Sequence, residues 1–192
     1  MRIRLPLTTE TPFRWYIPLD RRGLTLAEMA LFGVLGGMTF LAKLVMAGLP
    51  NIEPVSLLVM LYAAVFGRKA LYPIYAYVLL EMALFGVNLW AVNYLYIWVL
   101  LAGATWMLRE MSSPVGWALL SGTFGLLFGL LCAPVYAFTG GPAFAVSWWI
   151  SGIPYDLLHC GGNFGLALVL FVPLRRLLER LYRGMNMQRV QG

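Results

Sequence analysis

The chain reads as an all-α polytopic membrane protein, a bundle of six transmembrane helices with both termini in the cytoplasm. Three observations predict this. Of 192 residues, 61% are hydrophobic and only 11% charged, with a mean hydropathy of +0.78. Soluble domains carry roughly 25% charged residues, so this chain cannot solvate an ordinary surface. Its apolar residues gather into six runs, and its basic residues fall between alternate pairs of them. The length allows one helical domain and no separate soluble one.

Residues 1–23 form a polar tail in which Arg2, Arg4, Arg14, Arg21 and Arg22 surround Phe13, Trp15 and Tyr16. Basic and aromatic residues suit lipid headgroups, so a cytoplasmic, surface-lying tail is expected. Arg2 and Arg4 precede polar residues rather than an apolar stretch, and no cleavable signal is predicted.

The membrane domain spans 24–183. Its runs are Leu24 to Leu49, Pro50 to Phe66, Ala70 to Val87, Leu89 to Leu108, Val115 to Phe138, and about Pro154 to Leu174. A spanning helix needs about 20 apolar residues, so the second run is short and reads as tilted or partly re-entrant. Ala143 to Ile153, with Trp148 and Trp149, reads as an interfacial hairpin or short helix. Pro154 then falls in the first turn of the sixth span. Residues 184–192 form a cytoplasmic tail.

Orientation follows from the charges. With the amino terminus inside, Arg68 and Lys69, Arg109, and Arg175, Arg176, Arg180, Arg183 and Arg189 all fall on the cytoplasmic side. Of the 14 basic residues, Lys43 alone lies elsewhere. This is the positive-inside pattern. The net charge of +6 is thereby explained by orientation and lipid headgroups, and no nucleic-acid partner is implied. Cys132 and Cys160 lie within apolar runs without a Cys-x-x-Cys pattern, so inert buried thiols are expected.

The opposite face carries Asn51, Glu53, Asn88, Trp90, Asn93, Tyr94, Trp148 and Trp149. Glu81, Asp156 and His159 lie in the outer halves of their spans. Aromatic walls with a few orienting polar groups are the composition of a small-molecule site. Tyr77, Glu81 and Asn88 recur at i, i+4 and i+11 on one stripe of the third run. Glu81 there is either a ligand-facing carboxylate or the partner of Lys43 or His159. Asp156, His159 and Asn163 (i, i+3, i+7) share a helical face. Substrate contact, pairing between helices, stabilisation of Asp156 by the helix dipole and a two-ligand metal contact are the readings open to them. One histidine in the chain excludes a multi-histidine site.

Small-residue ridges mark two spans. Gly33 and Gly37, extended back by Ala30 and Ala27, lie on the first, and Ser121, Gly125 and Gly129 on the fifth. Such ridges let a second helix approach closely in lipid. On the fifth span this reads as internal packing; on the first, a protein partner is an equal alternative. No phosphate-binding glycine loop, nucleophile elbow or His-Glu-x-x-His motif occurs. The chain is therefore not expected to be an enzyme, to hydrolyse nucleotides or to need a cofactor or metal.

Leu49-Pro-Asn-Ile-Glu-Pro-Val55, Asn93-Tyr-Leu-Tyr96 and Ser151-Gly-Ile-Pro-Tyr-Asp-Leu-Leu-His-Cys-Gly-Gly-Asn163, set in a six-span chain of this size, resemble the substrate-binding S components of energy-coupling factor (ECF) transporters. The resemblance covers about Leu24 to Leu181. It implies a prokaryotic plasma-membrane protein that captures a vitamin or related micronutrient from outside. A membrane scaffold subunit and two ATPase subunits would be its partners. The family's docking patch on the first helix is commonly Ala-x-x-x-Ala; here Ala30, Gly33 and Gly37 keep only the small-residue spacing. From the outward-face argument, the substrate-binding candidates are Glu81, Trp90, Asn93, Tyr94, Trp148, Asp156, His159 and Asn163. The alternatives are a non-transport six-span scaffold or assembly protein and an intramembrane enzyme using Asp156, His159 and Cys160.

Overall fold

The computed structural model describes residues 23–49 and 52–188; the surface tail predicted at the amino terminus and Asn51 lie outside this range. The described residues are helical, with no strand. Helix α1 is Leu26–Val45, α2 Val55–Phe66, α3 Leu71–Phe85, α4 Leu89–Met107 and α5 Pro114–Gln188, with a 3₁₀ turn at Gly67–Ala70 joining α2 to α3. Four stretches among the described residues are long and apolar enough to cross a membrane: Leu26–Val45, Val55–Phe85, Leu89–Met107 and Pro114–Met185. Large apolar side chains such as Val34, Leu41, Leu79, Leu84 and Val169 are more than half exposed, which suits a bundle bathed in lipid.

Thr25 starts α1 with a capping box. Its hydroxyl accepts from the Glu28 N–H, and Glu28 Oε2 accepts from the Thr25 N–H, which satisfies two of the end's free donors. The other oxygen of Glu28 accepts from Lys69 at 2.7 Å and from the Tyr182 hydroxyl at 2.6 Å. One buried carboxylate thus ties the start of α1 to the α2–α3 turn and to the last part of α5. Glu28, Phe32, Leu35, Gly36 and Thr39 form the buried stripe of α1. Gly36 allows the closest approach to α3, since a Cβ there would lie 2.6 Å from Ala76 Cβ and 2.9 Å from the Pro73 carbonyl oxygen.

The contacts set the directions. Phe32, early in α1, meets Phe66 at the end of α2 and Tyr72 at the start of α3. Lys43, late in α1, meets Glu81 late in α3 and Tyr94 early in α4. Helices successive in the chain therefore alternate in direction, and α1 and α3, which pack together, run parallel. At Gly67 (φ 58°) the chain leaves α2 in a conformation that L side chains rarely adopt. Helix α2 has only 12 residues, ten of them buried, about 18 Å of rise. This makes it the central post of the bundle, packed against α4 and α5.

Helix α5 is two arms. At Gly141 (φ 85°, ψ 170°) the backbone is non-helical, and the chain folds back on itself. Gly129 contacts Asp156, Gly125 contacts His159, and Gly122 contacts Cys160; Trp117 stacks on Phe171. The sums of these paired numbers stay nearly constant, as they must in an antiparallel pair. Ala143 to Ile153, read from the sequence as an interfacial hairpin or short helix, is instead continuous with the second arm. The second arm is helical from Pro142 onward, because Gly141 supplies the left-handed residue and Pro142 suits a first turn. Pro154 is interior to the helix, where neighbouring helices can satisfy the carbonyl it frees. The same arm runs past Leu174 and past residue 183 to Gln188, so the predicted carboxy-terminal tail is helical as far as it is described.

Candidate functional site

Where α1 and α3 end and α2 and α4 begin, the helices form an open-mouthed cavity of about 820 Å³. Small-molecule sites are roughly 300–1,000 Å³. One wall carries Lys43 from the last turn of α1, Glu53 from the segment before α2, Glu81 from α3 and Tyr94 from α4. Lys43 Nζ donates to Glu81 Oε2 at 2.9 Å and to the Tyr94 hydroxyl at 3.2 Å. Its ammonium also lies 5.0 Å from the Tyr94 ring centre. Lysine reaches this wall by ending α1, where the negative end of the helix dipole favours a cation. The other carboxylate oxygen of Glu81 is buried without a hydrogen-bond partner. Burial pushes the Glu53 carboxyl above its ordinary value of 4.5; Lys43 opposes the shift and Glu81 adds to it.

The facing wall belongs to α5. Asp156 Oδ1 accepts from the backbone N–H of Gly129 at 3.1 Å. A Cβ at Gly129 would lie 2.5 Å from Asp156 Oδ2, so the carboxylate can approach this helix only because the residue is glycine. Asp156 Oδ2 and, one turn on, His159 Nε2 are buried without partners. Orphaned buried polar atoms cost about 1–3 kcal/mol each, and here three of them belong to residues that line one cavity. His159 packs edge-on against Phe128, with centroids 4.9 Å apart.

Aromatic rings line the rest of the cavity. Trp90 and Trp148 meet edge to face at 6.1 Å, Trp90 stacks on Phe128 at 6.5 Å, and Trp148 stacks on Tyr136 at 3.8 Å. Such pairs add roughly 0.5–1.5 kcal/mol beyond burial and hold the tryptophans in fixed orientations.

Of the eight substrate-binding candidates from the sequence, Glu81, Trp90, Tyr94, Trp148, Asp156 and His159 line this cavity. Asn93 and Asn163 do not. The Asn93 amide donates to the Leu89 carbonyl and its oxygen accepts from Tyr96. Asn163 donates to Ser56 Oγ and the Ser121 carbonyl, tying α2 to both arms of α5. Two further readings are corrected. Asn88 is not on the α3 stripe but caps α4, accepting from the Ala91 N–H, because α3 ends at Phe85. Asp156 is not in a first turn, since its helix starts at Pro142; the dipole account of its charge is thereby removed. Glu81 is paired with Lys43 rather than His159.

Lys43 and Phe128 were not among the sequence candidates. The sequence did signal Lys43, as its one basic residue away from the basic loops; nothing distinguished Phe128 from other apolar residues of its run. The two small-residue ridges part company. Gly125 and Gly129 are covered by the facing arm, whereas Ala30 and Gly33 are exposed and Gly37 half-buried. No atom lies within 4 Å of a Cβ built at Gly33 or Gly37. Among the described residues, no three His, Cys, Asp or Glu side chains are grouped as metal ligands. Searches of protein families, curated proteins and solved structures found no match to this chain.

Proposed function

We propose that this protein is the substrate-capture subunit of an ECF-type importer, crossing the plasma membrane six times with both termini in the cytoplasm. In this reading α2 and α3 are separate crossings, as are the two arms of α5. A micronutrient enters the cavity from outside and is handed on with a membrane scaffold subunit and two ATPase subunits. The stripe of exposed Ala30 and Gly33 and half-buried Gly37 on α1 is the docking face for the scaffold.

The observation that carries the reading is the cavity itself. It is a preformed chamber of small-molecule size, lined by tryptophans, with unpaired polar atoms on Glu81, Asp156 and His159. Position supports the reading too. The cavity lies at the end of the bundle opposite Lys69 and Arg175, which pair with Glu28 and Glu179 at the other end. By the positive-inside rule, that other end is cytoplasmic and the cavity opens outward.

The test is a thermal-shift screen of the purified protein against vitamins and their precursors. A ligand at 100 times its Kd stabilises the folded state by about 2.7 kcal/mol. Absence of any stabilisation in a demonstrably folded preparation would refute capture and leave the scaffold reading.

A further inference from the structure

We propose that the cavity takes an organic cation built on a planar ring, with its charged N–H end on Asp156 and His159 and its ring against the tryptophans. This rests on the capture reading and narrows it to a ligand class.

Charge is the first ground. The cavity is lined by three carboxylates, Glu53, Glu81 and Asp156, and by one ammonium, Lys43. The lining thus holds two more carboxyl groups than ammonium groups. Lys43 is already held by Glu81 and Tyr94, so it offers little to a carboxylate or phosphate on a ligand. An anion would meet uncompensated carboxylates in surroundings of low dielectric, where like charges repel strongly.

Asp156 is the second ground. It is 6% exposed, and the partner of Oδ1 is a neutral backbone N–H. A buried carboxylate without a counter-charge is strongly disfavoured, and the residues around it (Gly129, Phe128 and His159) supply none. A cationic ligand does. Asp156 Oδ2 and His159 Nε2 are adjacent on one helical face (i, i+3) and both lack partners. A head bearing two N–H groups, such as an amidinium or a ring amine conjugated to a protonated ring nitrogen, offers one donor to each. A spherical ion would leave the rings unused.

The rings are the third ground. Trp90, Trp148 and Phe128 line the same cavity as Asp156, and Trp148 is pinned by Tyr136. Aromatic faces attract cations, most strongly when water is excluded, and tryptophan is the best of them. Carboxylate and aromatic wall thus select the same ligand feature.

The probes are benzamidinium, its neutral counterpart benzamide, and benzoate, titrated against tryptophan fluorescence of the detergent-purified protein at neutral pH. The expected order is benzamidinium tightest, benzamide at least about tenfold weaker (about 1.4 kcal/mol) and benzoate weakest. In Asp156→Asn the preference for benzamidinium over benzamide should collapse while benzamide binding persists. Should that variant not fold, Glu53→Gln, in the segment before α2, carries the same test with a smaller loss of preference. Equal or tighter binding of benzamide or benzoate, or a preference untouched by the folded variants, overturns the proposal. If no probe binds while an uncharged or anionic micronutrient stabilises the protein, the ligand class is wrong and capture stands. If no probe and no micronutrient binds, capture fails as well.

Discussion

Gly125→Ala puts one methyl group between the two arms of α5, and the structure says what it must displace. The new Cβ would lie 2.8 Å from the carbonyl carbon and oxygen of His159 and 2.9 Å from the Cys160 nitrogen, where ordinary contact begins at 3.4 Å. These are backbone atoms, so no rotamer change relieves the clash. The arms must separate by about 0.6 Å, the shortfall between 2.8 and 3.4 Å, and a gap of that order forfeits a quarter to a half of each affected contact. Overpacking of this kind costs about 1–3 kcal/mol. Taking about 2 kcal/mol, the melting temperature of a chain this size should fall by about 4–8 °C. Tryptophan fluorescence in a fixed detergent at one scan rate measures it, the fixed rate guarding against irreversible unfolding. Gly33→Ala is the control, since its Cβ meets nothing within 4 Å; it should change stability by no more than the helix propensity gained, up to about 1 kcal/mol. Equal melting temperatures for Gly125→Ala and wild type would refute the antiparallel packing of the two arms.

Three other outcomes follow from the same contacts. Lys43→Met leaves the buried Glu81 carboxylate without its cation and should destabilise by about 3 kcal/mol, the low end for a broken buried pair, because Lys43 keeps 22% exposure; thermal melts should show Lys43→Met with Glu81→Gln recovering most of the loss. Tyr182→Phe removes the 2.6 Å hydrogen bond to Glu28 but keeps the ring packed on Phe66, and should cost about 1.5–3 kcal/mol, as for bonds to charged groups. Glu53 binds its proton more tightly folded than unfolded, so its contribution to stability is full below pH 4.5 and is lost as pH rises through its raised value; the melting-temperature difference between wild type and Glu53→Gln should move against wild type over that interval, and a difference independent of pH would contradict the burial of this carboxyl.

Much of the candidate site was legible in the chain. Trp90, Tyr94, Trp148, Glu81, Asp156 and His159 were found because polar and aromatic residues in apolar runs are costly exceptions, and the asymmetry of basic residues told which end they share. Asn93 and Asn163 were misplaced for a related reason. An amide in an apolar run looks the same whether it faces a cavity or the carbonyl of a neighbouring helix, and here both satisfy backbone or hydroxyl partners. Asn88 was misread because helical spacing was carried across Gly86, where the backbone turns to φ 76° and the phase of α3 is lost.

The helical, membrane-embedded character of the chain was determined by the sequence alone, since 61% hydrophobic residues leave no other solvent for it and lipid demands that the backbone bond to itself. Which glycines are covered, where α5 reverses, and that Lys43 belongs to Glu81 were decided only in three dimensions. Each depends on which helices become neighbours, and local pattern does not encode that. The same holds for Ser151 to Asn163. Its polar residues announce themselves in the sequence, but only the facing arm shows that Asp156 leans on Gly129, that Asn163 ties helices together, and that His159 packs on Phe128 with its Nε2 buried and unpartnered.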